Sequence, residues 1–417
     1  MGAGAAHTAL PPGAEKCYAP EVGFGPSGRL YYLFVGLAGR GNTPVGAYLT
    51  WSDDRGRTFA APRQVLGPAS FGVRMAIEAG RGPAGRIHLV WVRAGGPPAL
   101  GGFGPGPNPV VAAYSDDGGQ TFSAPVVLSG PERARVVAPA LTLGPGGGVH
   151  AAYYDLGQDV RDYQGLAGPV WPGPWALVVR SSADSGESFG PEVVVDSAIA
   201  APERVMLIFT MAPAAMAATG TGRLCLAWTD ARSGDADALL RCADRGRPFE
   251  AARRLNDDAP GNGRSQYLPR LAAGAGQRVD AVFYDRRLDV RNRLNDVAYT
   301  VSHDGGRTFA PNRRLNSRSF NSEIGQRYGV VSAEGKVEFG ARLGLLGGRD
   351  STVAVWTDTS NGTVQTTGQD VFAATVVFPS GPRLDRRLPV AAAALVLVGL
   401  ALATRRPRPA GPRGGSC

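Results

Sequence analysis

The octet SHDGGRTF, Ser302 to Phe309, reads Ser-x-Asp-x-Gly-x-Thr-Phe, and the chain repeats it. Ser52 to Phe59 gives SDDRGRTF, Ser115 to Phe122 gives SDDGGQTF, and Ser182 to Phe189 gives SADSGESF. A decayed copy, CADRGRPF, runs from Cys242 to Phe249. Successive copies start 63, 67, 60 and 60 residues apart. A period of that size describes an array of similar structural units rather than one irregular globule.

The octet has a physical reading. An Asp-Gly or Gly-Gly centre suits a tight turn with positive φ between two strands. The Asp carboxylate accepts hydrogen bonds from the turn's own amides, and the flanking Ser and Thr hydroxyls close it further. Asp54, Asp117, Asp184, Asp244 and Asp304 are therefore read as structural. The final Phe starts the next strand and packs inward.

The segments between octets share one grammar. An apolar strand leads to a Gly/Pro turn, and a second strand ends in an aromatic and often Asp. A variable loop and a third strand lead into the octet, and a last strand leaves it. The second strands read LYYLFVG (Leu30–Gly36), IHLVWVR (Ile87–Arg93), VHAAYYD (Val149–Asp155), LCLAWTD (Leu224–Asp230) and VDAVFYD, ending at Tyr284 and Asp285. A sixth unit has TVAVWTDTSNG (Thr352–Gly362) and then DVFAATVVF, with no octet. No unit buries both faces of its sheet alone, so neighbours must cover it. Six units of four short strands predict a six-bladed β-propeller. The sixth unit lacks its last strand, which the segment before Cys17, or residues upstream of Met1, is expected to supply.

Composition agrees. The chain has 417 residues, 43% of them apolar, with 59 Gly and 33 Pro, as many short strands joined by turns require. The formal charge is +9, yet Lys16 and Lys336 are the only lysines. The basicity is arginine spread along the chain, so no nucleic-acid partner is expected. His7, His88, His150 and His303 are scattered and no CxxC or HExxH occurs, so neither metal nor cofactor is expected. The four cysteines make no disulfide framework. Cys225 and Cys242 fall on neighbouring strands, where two buried free thiols are expected over a cross-strand bond.

The ends differ. MGAGAAHTALPPGA has no basic or apolar signal-peptide region. Leu388 to Thr404, LPVAAAALVLVGLALAT, is an apolar run at the lower limit for spanning a bilayer as a helix. Arg405, Arg406 and Arg408 follow it, which would leave the propeller outside the membrane. The expected organisation is an N-terminal segment (1–16), a propeller (17–380), a linker (381–387), an anchor (388–404) and a basic tail (405–417), on a monomer displayed at the cell surface.

The octet resembles the Asp-box of sialidase-type β-propellers, and the resemblance covers roughly Cys17 to Phe378. It implies six blades and an exo-α-sialidase-like activity on terminal acidic sugars of glycans. Strand parity adds a location. The octet joins strands three and four, so the loop joining strands two and three lies on the opposite face, with the segment leading into each blade. That face would collect Asp155, Asp230 with Arg232, Asp285 with Arg286 and Arg287, and Asp358. The lead-in segments would add Arg74, Glu203, Arg204, Tyr267, Arg270 and Arg342. Converging arginines grip a carboxylate in bidentate fashion. Arg74, Arg204, Arg270, Arg286 and Arg342, with Asp230 and Asp358, are thus the candidate substrate-binding set. Sialidases use a Tyr nucleophile where most glycosidases use two carboxylates. The catalytic candidates are accordingly Asp285, Tyr284 and Glu203, with Tyr328 as a second Tyr. The plainer reading is that Asp at the end of each second strand caps a turn and that the arginines pair with those aspartates. The Phe-Arg-Ile-Pro motif of sialidases is missing, since the first blade opens with CYAPEVGF. A non-catalytic module binding a glycan or protein, and a glycosidase or lyase for another polysaccharide, are the alternatives.

Overall fold

The structure is a computed structural model and describes residues 9–39, 43–82, 84–95, 107–164, 169–202, 212–325 and 343–378. The strands form six antiparallel sheets in sequence order. Each is a simple meander, and from the first sheet through to the sixth each first strand lies against the first strand of the next. These first strands are Lys16–Phe24, Ser70–Glu78, Val136–Gly144, Ala215–Ala218, Gln266–Ala273 and Gly344–Gly347. The chain is a six-bladed β-propeller. Blades 1 to 5 each have a four-stranded meander, and a short strand, Phe320–Asn321, adds to the third strand of blade 5. Blade 6 has three strands among the described residues. Residues 9–15 carry no strand, and Lys16–Phe24 belongs to blade 1. The expected closing strand, if it lies earlier, falls outside the described residues.

Packing between blades follows the apolar alternation of the strands. Tyr31, Leu33, Leu89 and Trp91 fill the seam between blades 1 and 2. Val92, Val110, Tyr153 and Val178 fill the next, and Tyr154, Trp175, Leu226 and Trp228 the third. Leu240, Phe283 and Ala281 lie between blades 4 and 5. Tyr284, Tyr299, Trp356 and Val376 lie between blades 5 and 6. Second strands buried on both sides read as apolar runs, as in Val279–Asp285, where every residue is buried.

The octets close the turns as their chemistry requires. In the first, the Thr58 hydroxyl and the Thr58 and Arg57 amides donate to Asp54. The Ser52 hydroxyl donates to the same carboxylate and accepts from the Gly56 amide. The same pattern recurs at Asp117, Asp184 and Asp304. The hydroxyl of Thr58, then its amide, holds the Asp54 carboxyl well below the usual range. Two successive residues of the turn have positive φ, 78° at Gly305 and 84° at Gly306.

Blade 4 departs from this pattern. Cys242 stands where the other octets have Ser, and it is disulfide-bonded to Cys225 on the facing strand. The expectation of free thiols is corrected: the pair lies directly opposite in the register, close enough to bond. No cysteine is free among the described residues. Asp244, whose octet has Pro248 in place of Thr, pairs instead with Arg223 and with Arg307 of the next blade. The apolar run 388–404 and the tail lie outside the described residues. No helix among the described residues is long and apolar enough to cross a membrane.

Candidate functional site

The first strands share a local device. Backbone bulges interrupt their pairing, with positive φ at Ala19 (53°), Gly72 (57°), Ala138 (50°) and Leu268 (53°). A bulge re-aims the side chains that follow it. Two residues on come Glu21, Arg74, Ala140 and Arg270, and all four line one cavity of about 360 Å³. Ala214 of blade 4 and Leu343, just before the first strand of blade 6, complete its wall. Every blade therefore contributes to the cavity, which occupies the central channel.

The polar equipment of this cavity is asymmetric. Arg74 donates from Nη1 to Glu21 Oε1 at 2.8 Å and from Nε to the Pro139 carbonyl at 3.0 Å. It so ties blade 2 to blades 1 and 3. Arg270 donates from Nε to the Leu343 carbonyl at 3.0 Å, tying blade 5 to blade 6. Blades 2 and 5 are opposite in a six-fold ring, so the two arginines stand across the channel from one another. Glu21 is the one carboxylate among the described residues that line this cavity. Sequence reasoning missed it. The signal was available in the parallel stretches Tyr18-Ala-Pro-Glu21, Phe71-Gly-Val-Arg74, Val137-Ala-Pro-Ala140 and Tyr267-Leu-Pro-Arg270, which put Glu21 in phase with the two arginines.

The aspartates ending the second strands sit elsewhere. Asp155, Asp230, Asp285 and Asp358 each accept from the amide two residues on, at 3.0, 2.9, 2.9 and 2.7 Å. This is a turn cap repeated in four blades. Further donors occupy the rest of the carboxylates. Asp230 takes the Trp228 indole at 2.9 Å and Arg232 Nη2 at 2.6 Å, and Asp358 takes the Trp356 indole at 3.2 Å. Asp285 takes Arg287 Nε at 2.5 Å and Gln266 Nε2 at 3.2 Å. Burial pushes the Asp285 carboxyl upward, against the pull of the Arg287 amide and guanidinium. All three of Asp230, Asp285 and Asp358 are buried, and none lines the cavity.

Tyr284 lies in the seam between blades 5 and 6, with its ring 5.6 Å from Tyr267 and 6.1 Å from Phe320. It is fully buried, and burial raises its hydroxyl far above the ordinary value. Arg286 also turns into the blade wall. It donates to Asn295 at 2.8 Å, the Asn292 carbonyl at 2.8 Å and Ser322 at 3.0 Å, beneath the Tyr267 ring. The structure thus gathers Arg74 and Arg270 at one cavity and leaves Arg286, Tyr284, Asp230, Asp285 and Asp358 in the walls. Glu203, Arg204, Arg342 and Tyr328 lie outside the described residues. Among the described residues no group of His, Cys, Asp and Glu is disposed to hold a metal ion.

No protein-family model matches the chain, and no curated protein sequence matches it. Solved structures do match. An α-L-arabinofuranosidase from Fusarium graminearum, in complex with an iminosugar inhibitor, aligns with a TM-score of 0.50 at 11% identity, over 89% of this chain and 97% of that one. A Hadza microbial sialidase aligns with a TM-score of 0.48 at 14% identity. That match covers 83% of this chain and 64% of the sialidase, so the chain spans about two thirds of its length. An α-L-arabinanase from Penicillium chrysogenum aligns with a TM-score of 0.46 at 12% identity, over 89% of this chain and 97% of that one. These likenesses are of fold, a six-bladed β-propeller. Fold alone does not carry an activity.

Proposed function

We propose that the protein acts on glycans as a sialidase-like glycoside hydrolase, taking a terminal acidic sugar at the mouth of its central channel. The carrying observation is the cavity of about 360 Å³ with Arg74 and Arg270 in opposite walls and Glu21 beside Arg74. Guanidinium groups in a recessed site favour a planar carboxylate over a neutral sugar. Glu21, held on Arg74, supplies a carboxylate to the site of an oxocarbenium-like transition state. The solved neighbours are named as a sialidase, an arabinanase and an arabinofuranosidase, which agrees with glycan chemistry in this channel.

One observation favours a second reading, a propeller that binds an acidic glycan without cleaving it. Tyr284 and Asp285 are occupied in the blade walls. The test is turnover of a fluorogenic sialoside beside uronide, arabinoside and other neutral glycosides. Turnover of an acidic substrate that Arg270→Met and Glu21→Gln each reduce at least tenfold supports the hydrolase. Binding of acidic glycans without turnover establishes the second reading. Turnover confined to neutral glycosides, or acidic turnover indifferent to both substitutions, sinks the acidic-sugar site.

A further inference from the structure

The tripeptide Asp-Val-Arg occurs in two loops, at Asp159–Arg161 in blade 3 and at Asp289–Arg291 in blade 5. Each lies where a second strand passes to a third: between Gly148–Asp155 and Pro174–Ser182, and between Val279–Asp285 and Leu294–Ser302. Both loops are therefore on the face opposite the octets. In both, the Asp turns inward. The Asp159 carboxylate is fully buried and accepts the Asp162 amide at 2.9 Å and the Trp175 indole at 3.0 Å. The Asp289 carboxylate accepts the Arg291 amide at 3.1 Å and the Arg293 and Leu294 amides at 2.8 Å each. The Val and Arg that follow are left outside. Val160 is 40% exposed and Val290 is 80% exposed, and Arg161 and Arg291 are exposed beside them. Blade 5 adds Leu288, 63% exposed, and an exposed Arg293.

Both loops are braced. In blade 5 the Asn292 side chain accepts from the Ser265 amide at 2.9 Å and donates to the Ser265 hydroxyl at 3.0 Å. Arg264 donates to the Asp289 carbonyl at 3.2 Å. In blade 3 Tyr163 is buried, and its hydroxyl accepts from the Asn108 side chain of blade 2. A single exposed valine needs no explanation. Two braced loops that each hold a valine beside an arginine in water, with the neighbouring carboxylate tucked away, do. The pairing of side chains says what fits. An aliphatic tip beside a guanidinium suits a boundary that is apolar at one depth and anionic just above it, as at the surface of an anionic bilayer. A soluble polyanion would engage the arginines and leave the valines in water. A globular partner would call for one contiguous apolar patch. Here the tips are two blades apart in the ring. A further one, Val364, is 67% exposed at the corresponding connection of blade 6, which is opposite blade 3. Tips spread around one face of a disc fit a plane.

We propose that the face opposite the octets docks on anionic lipid bilayers through the loops around Val160 and Val290. The valines and Leu288 enter the boundary of the acyl region, and Arg161, Arg291 and Arg293 meet lipid phosphates. Docking turns the mouth of the channel toward the bilayer. This does not depend on the glycan reading, because its readout is the surroundings of the loop tips rather than activity.

The test uses the full chain, so that the apolar run 388–404 is common to every protein compared. Val160→Cys, Val290→Cys and Ala183→Cys are each labelled with an environment-sensitive nitrobenzoxadiazole dye, beside the parent taken through the same labelling. Ala183 is exposed on the octet of blade 3 and reports the far face. Vesicles of phosphatidylcholine with phosphatidylglycerol are added, or of phosphatidylcholine alone. Expected is a blue shift and a rise in emission at positions 160 and 290 with the anionic vesicles, and neither at 183. In labelled Val290→Cys, adding Arg161→Gln/Arg291→Gln/Arg293→Gln should raise the lipid concentration at half effect at least tenfold, and so should adding Val160→Ser/Leu288→Ser. The parent's far-ultraviolet circular dichroism in each variant checks the fold. No change at 160 and 290, or an equal change at 183, overturns the docking. So does an equal response to phosphatidylcholine alone, or the same response to dextran sulfate without lipid. A shift that grows with protein concentration in the absence of vesicles assigns the tips to a second copy and overturns it as well.

Discussion

Cys242 Sγ is bonded to Cys225 Sγ at the one octet that has no Ser hydroxyl, and Gly306 of the next blade closes over the pair. In the other octets the Ser hydroxyl joins the Asp carboxylate to the turn amide, as Ser302 does between Asp304 and Gly306. In blade 4 a covalent bond at that position instead ties the third strand to the second. Its closed loop spans 17 residues. A loop near that length is stabilised by about 3 kcal/mol in the chain-entropy account. The variant Cys225→Ala/Cys242→Ser is expected to lower the unfolding free energy by about that much in guanidinium titration. A loss no larger than in Ser302→Ala would show the bond to be dispensable.

Gly306 makes a sharper case. Its φ is +84°, and a Cβ there would meet Cys242 Sγ at 2.7 Å and Cys225 Sγ at 3.1 Å. Gly28 has nearly the same φ, +82°, and open space where a Cβ would go. Gly28→Ala is expected to cost about 1 kcal/mol, the left-handed backbone alone. Gly306→Ala adds overpacking against the sulfurs, for a total of about 3 kcal/mol. Equal losses in the two variants would mean that the disulfide yields freely.

These octets show why the fold was legible and the site was not. Asp54, Asp117, Asp184 and Asp304 act on their own turns within six residues, so their role is written in contiguous sequence. Arg74 and Arg270 were found by strand parity, which places a residue on a face. Parity does not say whether a face residue opens to the channel or turns into a wall, and Arg286 turned into the wall. Glu21 was missed because its partner, Arg74, is 53 residues away. Arg86, Arg223 and Arg278 were also passed over. Each stands at or just before a second strand, buried, and reaches a backbone carbonyl of the following blade: Ser185, Gly305 and Gly348. Buried arginines thus serve as inter-blade ties, a use that composition alone does not reveal.

Asp230 separates a turn cap from a catalytic acid. It is fully buried and holds Arg232 and the Trp228 indole. Asp230→Asn removes the charge that Arg232 pairs with, although Asp196 remains 2.9 Å from the same guanidinium. A stability loss of about 3 kcal/mol is expected, as for breaking one partner of a buried pair. Turnover per folded molecule should stay within twofold of the parent. Activity lost without loss of stability would return Asp230 to the catalytic set.

Acid sensitivity follows from His150. Burial, and secondarily the charge of Arg245, lowers its imidazole to about 4, with Nδ1 2.8 Å from Ser181 Oγ. In the unfolded chain an imidazole titrates near ~6.5. The folded protein therefore holds His150 neutral where the unfolded chain takes up a proton. The stability this represents is complete above about pH 6.5 and is lost as pH falls toward about 4. Burial lowers His88 as well, in the same direction, against the opposing hydrogen bond from its Nε2 to the Glu78 carboxylate. The octet carboxylates act in a lower window. Asp54 and Asp184 are held well below the ordinary carboxylate range, first by the hydroxyls of Thr58 and Ser182, so their contribution is lost only under stronger acid. The guanidinium midpoint should thus fall between pH 7.5 and pH 5.0, before any carboxylate of the octets is protonated. His150→Gln should flatten that fall while leaving the steeper loss below pH 4. An unchanged slope in His150→Gln would assign the sensitivity to His88.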